Sequence, residues 1–302
     1  MGLGLRVNGC AVTPDNLDIG MKLSVLHRTI FHYASPVADS VNTLHLEPRR
    51  FPYQKPLFAI IRVLPATRLR RFTDLFENIT HHFEISAPHE RLEVESRIKV
   101  DTLAPVIPEE SITAPLSALN EPSAREVTWL FKQESRYVSS RPEIWRQAVD
   151  LTYGIEPIHA QVMAIMDWVH GEFSYVPGST QVSTQIEEAF KLRSGVCQDF
   201  THVMLGLCRA VGIPARYASG YLYNGPQGHL LGAQASHAWC EVYLPQAGWI
   251  GFDPTNNTVA DERYIKAAVG RDYDDVAPMR GSYRGTSQCL MEVEVLVERI
   301  AD

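Results

Sequence analysis

A run of prolines near the middle of the chain divides it into two parts with different hydrophobic patterns. Four prolines from Pro105 to Pro122 interrupt every regular repeat, because proline lacks a backbone donor and restricts the residue before it. Before this passage apolar residues alternate with a period of two. After it, apolar residues first recur at helical spacing. The pattern predicts an N-terminal β domain over residues 21–105, a linker over 106–122 and a second domain over 123–302.

The N-terminal part has the pattern of a small antiparallel β domain. An alternating run opens at Met21, whereas residues 1–20 carry little periodicity and are predicted to be an extension or tail. Prolines separate the further β-branched and aromatic runs, which favours short strands. These predicted strands cover residues 41–46, 57–64, 79–85 and 92–100.

The second part places helices before strands, which predicts an α+β domain. Three helices are expected over residues 156–172, about 181–193 and about 197–211, and strands over 215–221, 236–244 and 249–252. Gln246, Ala247 and Gly248 are predicted to form the turn between the last two strands. Residues 256–287 form a long excursion of undefined role before a final strand, 288–299.

Composition and charge exclude several classes of protein. The 302 residues are 45% hydrophobic and 21% charged, as in globular domains, and the net charge of −7 argues against a nucleic-acid partner. No run approaches the roughly 18 apolar residues that span a bilayer, and no secretory signal is visible. We therefore expect no membrane association and a cytoplasmic location.

The cysteines do not form a disulfide or metal pattern. Five of them are widely spaced, and His237 with Cys240 is a metal-like pair that lacks a second half. No glycine-rich phosphate loop is present. The sequence therefore predicts neither a metal site nor a cofactor.

Cys197 is predicted to lie at the start of a helix, a position that changes the reactivity of a thiol. Cys197 follows a short break between two predicted helices, so it falls in the first turn of the second helix. Free N–H groups and the helix dipole favour a thiolate there and can also bind an oxyanion. Alone this is weak evidence, since free cysteines are usually buried and inert.

Two further residues complete a possible catalytic set. Strand alternation puts His237 on one face with Trp239, Glu241 and Tyr243, and Asp253 follows on the next strand of the hairpin. Taken singly, a core histidine and an Asp-Pro turn are the more frequent explanations. Together with Cys197 they predict a Cys-His-Asp arrangement.

At these positions the chain resembles the transglutaminase-like superfamily of cysteine enzymes, including its bacterial cysteine-protease-like branch with an N-terminal β domain. The matching blocks begin at Gly195-Val196-Cys197, Gly212-Ile213-Pro214, Ser236-His237-Ala238-Trp239 and Gly251-Phe252-Asp253-Pro254. The resemblance implies a papain-like, transglutaminase-core catalytic domain. It also implies Cys197 as nucleophile, His237 as base and acid, and Asp253 as the residue that orients the histidine.

The remaining expectations concern the substrate and the neighbouring residues. Hydrolysis of a peptide or protein carboxamide through a thioester is favoured; transfer to an amine and a non-catalytic interaction module are the alternatives, and the oligomeric state is open. Tyr175, Gln198 or Trp239 is expected to supply a second oxyanion donor, and Trp239 is also expected to pack in the core. Three other polar residues have expected roles. Asp199 is expected to cap a helix, His202 to pack with its hydrogen bonds satisfied, and Arg216 to be a surface charge.

Overall fold

The structure is a computed structural model that describes residues 20–225, 228–232, 235–285 and 288–300. The predicted extension 1–20 lies outside the described residues apart from Gly20, which opens the first strand. In the part of the chain so described, no helix is long and apolar enough to cross a membrane.

Strands dominate both ends of the chain and helices its middle. The strands are β1 (Gly20–Glu47), β2 (Gln54–Leu64), β3 (Arg70–Thr73), β4 (Ile79–Ile85), β5 (His89–Leu103), β6 (Ser174–Tyr175), β7 (Ser194–Gly195), β8 (Ala215–Leu222), β9 (His237–Leu244), β10 (Gly248–Asp253), β11 (Thr258–Val259), β12 (Tyr264–Gly270), β13 (Met279–Arg284) and β14 (Cys289–Arg299). The α-helices are α1 (Glu109–Ile112), α2 (Pro122–Thr128), α3 (Pro142–Thr152), α4 (Ile158–Glu172), α5 (Ile186–Leu192), α6 (Cys197–Ala210) and α7 (Tyr273–Val276), with 3₁₀ turns at Leu116–Asn120 and Trp129–Lys132.

One long strand organises the N-terminal sheet, whose order is β2-β5-β1-β4-β3. Strand β1 continues through Pro36, where two separate strands were expected, because its register shifts between His32 and Val37. At such an irregularity proline removes no ladder hydrogen bond. The strand changes partners at this bend: its first half pairs with β5 and its second with β4.

The C-terminal strands also belong to this sheet. Strand β14 pairs with the first half of β1, and β13 with its second half. Val295 and Val297 pack on the cluster around Leu23 and Val25, so these two side chains on one face of β14 point toward that cluster. Strands β13 and β14, which the sequence analysis assigns to the second domain, thus pair within the N-terminal sheet.

A second antiparallel sheet, of order β11-β10-β9-β8-β12, carries the helices on one side. Helix α6 is buried from Cys197 to Cys208 and packs against β9, α3, α4 and α5. The predicted α+β fold with an N-terminal antiparallel β domain is confirmed. The excursion predicted over 256–287 instead contains β11, β12, α7 and β13, and β12 completes the sheet.

Two side-chain amides cover the outer edge of β12. The amide of Asn78 donates to the Val269 carbonyl and accepts from its N–H, both at 2.8 Å. Gln54 makes the same pair of bonds to Lys266, at 2.8 and 2.7 Å. These amides satisfy backbone groups that an open edge would leave unpaired. They thereby fasten the N-terminal sheet to the second sheet.

We expect Asn78→Ala to lower the free energy of unfolding by about 2–6 kcal/mol, since it leaves one buried donor and one buried acceptor unpaired. Urea denaturation measures this loss. The control is Gln133→Ala, which removes an exposed amide whose described bond is to the Trp129 carbonyl, and it should change stability by under about 0.5 kcal/mol. Equal losses for the two variants would show that the edge bonds add nothing.

Candidate active site

Cys197 is placed at the first position of α6 by the segment before it. Arg193 ends α5 in the left-handed conformation (φ 52°, ψ 30°), and β7 then pairs in parallel with β6. The helix begins directly after this short strand, and the thiol-bearing residue is 9% exposed. Cys197 therefore meets the unpaired N–H groups and the positive end of the α6 dipole, as the sequence predicts.

Asp199 holds the start of this helix. Its Oδ2 accepts from the Val196 N–H at 2.8 Å and from the Thr180 hydroxyl at 2.6 Å. A Cβ at Gly195 would lie 2.4 Å from the same oxygen, so only glycine fits there. Burial raises the pKa of this carboxyl. These contacts agree with the capping role expected for Asp199.

The other two members of the predicted set meet across β9 and β10. His237 Nε2 donates to Asp253 Oδ2 at 2.7 Å, and both side chains are fully buried. Asp253 also accepts from the Tyr264 hydroxyl at 2.8 Å and from the Asn256 amide at 2.7 Å. Although burial disfavours the charged carboxylate, the pKa of Asp253 is lowered, first by His237 and then by these donors.

The surroundings of His237 keep its imidazole protonated. Burial acts against the charge, but Asp253 and then Cys197 outweigh it and raise the pKa of His237 to about 10. Asp253 occupies Nε2 and leaves Nδ1 buried without a hydrogen bond to any described residue. The arrangement can therefore hold an imidazolium that is oriented by a carboxylate and interacts with the Cys197 sulfur.

Three residues that the sequence analysis missed support Asp253. Tyr264 and Asn256 bind its carboxylate, and His170 donates to the Pro254 and Thr255 carbonyls at 3.3 and 3.2 Å. The short, mostly apolar run of residues 264–270 was a signal for the strand that carries Tyr264. No local pattern points to the other two.

The candidate oxyanion donors separate by their contacts. Tyr175 is half-buried, and burial, Cys197 and Asp253 raise its pKa to about 12. The Gln198 amide instead donates to the Val182 carbonyl at 3.0 Å. Trp239 is buried with its ring stacked on His237 at a centroid distance of 6.2 Å. Of the three candidates, Tyr175 is therefore the one whose pKa Cys197 affects.

The surroundings of His202 and Arg216 can be compared with the roles expected for these two residues. His202 is buried between the rings of Tyr137 and Tyr217, and its Nε2 accepts from the Tyr273 N–H at 3.2 Å, which fits a packing role. Arg216 was expected to be a surface charge, but this is wrong. It is 7% exposed because Glu241 pairs with it at 2.7 Å on the neighbouring strand.

Leu231 and Gly232 belong to a loop that packs against His237 at Nδ1. A Cβ at Gly232, whose φ is +80°, would fall 2.5 Å from His237 Nδ1. Leu231 next to it donates its N–H to the Asn256 side chain at 2.8 Å, and its own side chain is exposed. The loop is thus linked to Asp253 through Asn256 and presents an apolar residue beside the site.

The described residues contain no group of three or more histidine, cysteine or acidic side chains placed to hold a metal ion. The chemistry that this site offers is that of a thiol, an imidazole and a carboxylate. Such a set forms and resolves acyl intermediates by nucleophilic catalysis.

Comparison with known families gives matches to both parts of the chain. The Transglutaminase-like superfamily matches residues 146–254, which include all three members of the set, and the Bacterial transglutaminase-like N-terminal region matches residues 23–101. The first range covers the chain from within α3 to the end of β10, and the second covers most of β1 to β5.

Individual relatives agree with these matches. An uncharacterised protein of Mycobacterium leprae is 32% identical over 296 residues, 93% of this chain and 99% of the relative. Part of the protein-glutamine gamma-glutamyltransferase of Pseudomonas aeruginosa is 32% identical over 145 residues, 42% of this chain and 21% of that protein. A crystal structure from Cytophaga hutchinsonii, named "Putative Cysteine Protease", has the same fold, with a TM-score of 0.76 and 24% identity over 94% of this chain and 92% of that one. The chain therefore belongs to the transglutaminase-like superfamily, with the bacterial transglutaminase-like N-terminal region preceding its core.

Proposed function

We propose that the protein is a cysteine-dependent amide hydrolase that cleaves a peptide or protein carboxamide through a thioester. The observation that carries the proposal is the buried His237 imidazole, which bonds to Asp253 at 2.7 Å and whose pKa both Asp253 and Cys197 raise. A helix start supplies the sulfur with oriented N–H groups. These observations support nucleophile, base and orienting carboxylate as the roles of Cys197, His237 and Asp253.

The first half of the reaction forms the acyl-enzyme. The Cys197 thiolate attacks the amide carbon, and the carbonyl oxygen takes the electron pair and becomes an oxyanion near the start of α6. The imidazolium of His237 then protonates the leaving nitrogen as the C–N bond breaks, which releases ammonia or an amine. The product on the enzyme is a thioester, and His237 is left neutral.

The second half regenerates the enzyme. Neutral His237 takes a proton from water, the hydroxide attacks the thioester carbon, and the C–S bond breaks to release the carboxylic acid. Asp253 holds the imidazole in the tautomer that both halves require. Tyr175 is the proposed side-chain donor to the oxyanion, because β6 pairs it with Gly195, two residues before Cys197.

Acyl transfer to a primary amine is the second candidate, supported by the similarity to part of a protein-glutamine gamma-glutamyltransferase. In that reaction the amine replaces water, and the outcome depends on how well the site excludes water. No described feature selects an amine, so hydrolysis is favoured.

A panel of glutamine-containing peptides, incubated with and without a fluorescent primary amine, tests the proposal. We expect mass spectrometry to show ammonia loss or peptide cleavage, with less than about a tenth of the product carrying the amine. Faster amine incorporation than hydrolysis would assign the second candidate. No product from any peptide, with thiol labelling absent as well, would favour a non-catalytic module.

A further inference from the structure

A cleft of about 410 Å³ lies between the N-terminal sheet and the catalytic sheet. Its floor is the face of β8, β9 and β12, and its wall is the segment that joins β1 to β2. The size lies within the range of small-ligand sites. None of the proposed catalytic steps uses it.

The floor of the cleft holds a buried cluster of charges. One Glu241 oxygen accepts from Arg216 Nε at 2.8 Å, and the other bonds the Lys266 ammonium. All three side chains are at most 13% exposed. Two cations therefore share a single carboxylate. Asp261 also lines the cleft but pairs with Arg263, so one positive charge of the cluster has no counter-ion among the described residues.

A third cation faces the same cluster from the wall. Arg49 pairs with Glu77 at 2.8 Å through one terminal nitrogen, but its Nε is buried with no hydrogen-bond partner among the described residues. Its charge repels both Arg216 and Lys266. Burial and these neighbouring cations hold the pKa of Lys266 at about 8, although Glu241 acts to raise it.

Aromatic rings line the cleft and hold the cations in place. The Lys266 ammonium lies 3.9 Å and the Arg49 guanidinium carbon 4.5 Å from the centre of the Phe51 ring. Arg216 stacks on Trp249 at 4.3 Å. Cation–π contacts stabilise these positions without neutralising their charge. The cleft thus combines apolar walls with convergent donors, as small-ligand sites do.

We infer that this cleft is a binding site for a small carboxylate, which supplies the negative charge that Arg49, Arg216 and Lys266 lack. A carboxylate carries the single charge that the cluster is missing and accepts charge-assisted bonds from guanidinium and ammonium groups. The inference is independent of the proposed reaction, since it concerns binding and uses none of the three catalytic side chains.

Calorimetric titration of the whole chain tests the inference in low-salt buffer free of carboxylate and phosphate. The probes are succinate and benzoate, each with its amide analogue, and the dipeptide glycyl-phenylalanine with and without a C-terminal amide. We expect each acid to bind roughly tenfold or more tightly than its amide, because the ionic bonds need the charge. A preference for the free dipeptide would assign the carboxylate to a peptide end, and a preference for succinate or benzoate to a free acid.

Variants locate the binding. Lys266→Met should weaken acid binding roughly tenfold or more, whereas Lys191→Met, at an exposed lysine of α5, should leave it unchanged. If Lys266→Met unfolds, Arg50→Ala replaces it, since Arg50 is an exposed lining residue without a described ion pair; we expect about a threefold loss. Equal binding of acids and amides, tighter binding of inorganic phosphate than of every acid, or equal losses at positions 191 and 266 would overturn the inference, as would no binding at all.

Discussion

Cys197→Ala is expected to lower amide turnover by about 10⁵- to 10⁶-fold, because removing the nucleophile of a catalytic set removes nearly all that the set contributes. It should also abolish the most rapid iodoacetamide labelling near neutral pH. Peptide mass spectrometry of the labelled protein, combined with rates on the best substrate of the glutamine panel, measures both effects.

Cys289→Ala is the matched control for this change. Cys289 is exposed on β14, where the partial desolvation of its thiol raises the pKa. We therefore expect Cys289 to be labelled slowly and its removal to leave turnover unchanged. Cys208 and Cys240 are fully buried and should stay unlabelled in the folded protein. Turnover that survives in Cys197→Ala would exclude Cys197 as the nucleophile.

Asp253→Asn is expected to lower kcat on the order of 10³- to 10⁴-fold, because the amide holds the imidazole in the wrong tautomer and no longer stabilises its charge. It should also change the pH profile. The pKa of His237 is raised to about 10 by Asp253 and Cys197, so activity should fall as the pH passes about 10. In the variant this alkaline limb should move to lower pH.

The same raised pKa contributes to folding stability, with a definite sign. The contribution is fully present below the unfolded value of about 6.5 and is lost as the pH rises through about 10. Asp253→Asn should therefore cost stability at pH 7 and little above pH 10. Asn120→Asp, outside the site, is the control; an unchanged alkaline limb in Asp253→Asn would contradict the assigned role of Asp253.

The parts of the site that the sequence predicted depend on short-range geometry. A helix start fixes the surroundings of Cys197, and a hairpin fixes which residues of β9 and β10 are neighbours, so His237 and Asp253 could be paired from spacing alone. The supporting contacts depend on other elements. Tyr264 reaches Asp253 from β12, and no local pattern states which edge of the sheet β12 occupies.

Contacts between residues far apart in the chain explain why the sequence did not predict the burial of Arg216 or the partner of β14. Arg216 looks like a surface residue until Glu241 and Lys266 are placed beside it, since burial of a charge depends on partners elsewhere in the chain. Strand β14 was predicted as a strand, but its alternation does not identify β1 as its partner. The cytoplasmic location likewise stays a prediction.

The pairing of β14 with β1 has a consequence for how the protein is made. During translation β1 leaves the ribosome well before β14, the strand that covers one of its edges. Until then the nascent chain carries an apolar strand with an open edge, a state prone to intermolecular pairing. Chaperone binding to the unfinished N-terminal sheet would shield that edge until β14 emerges.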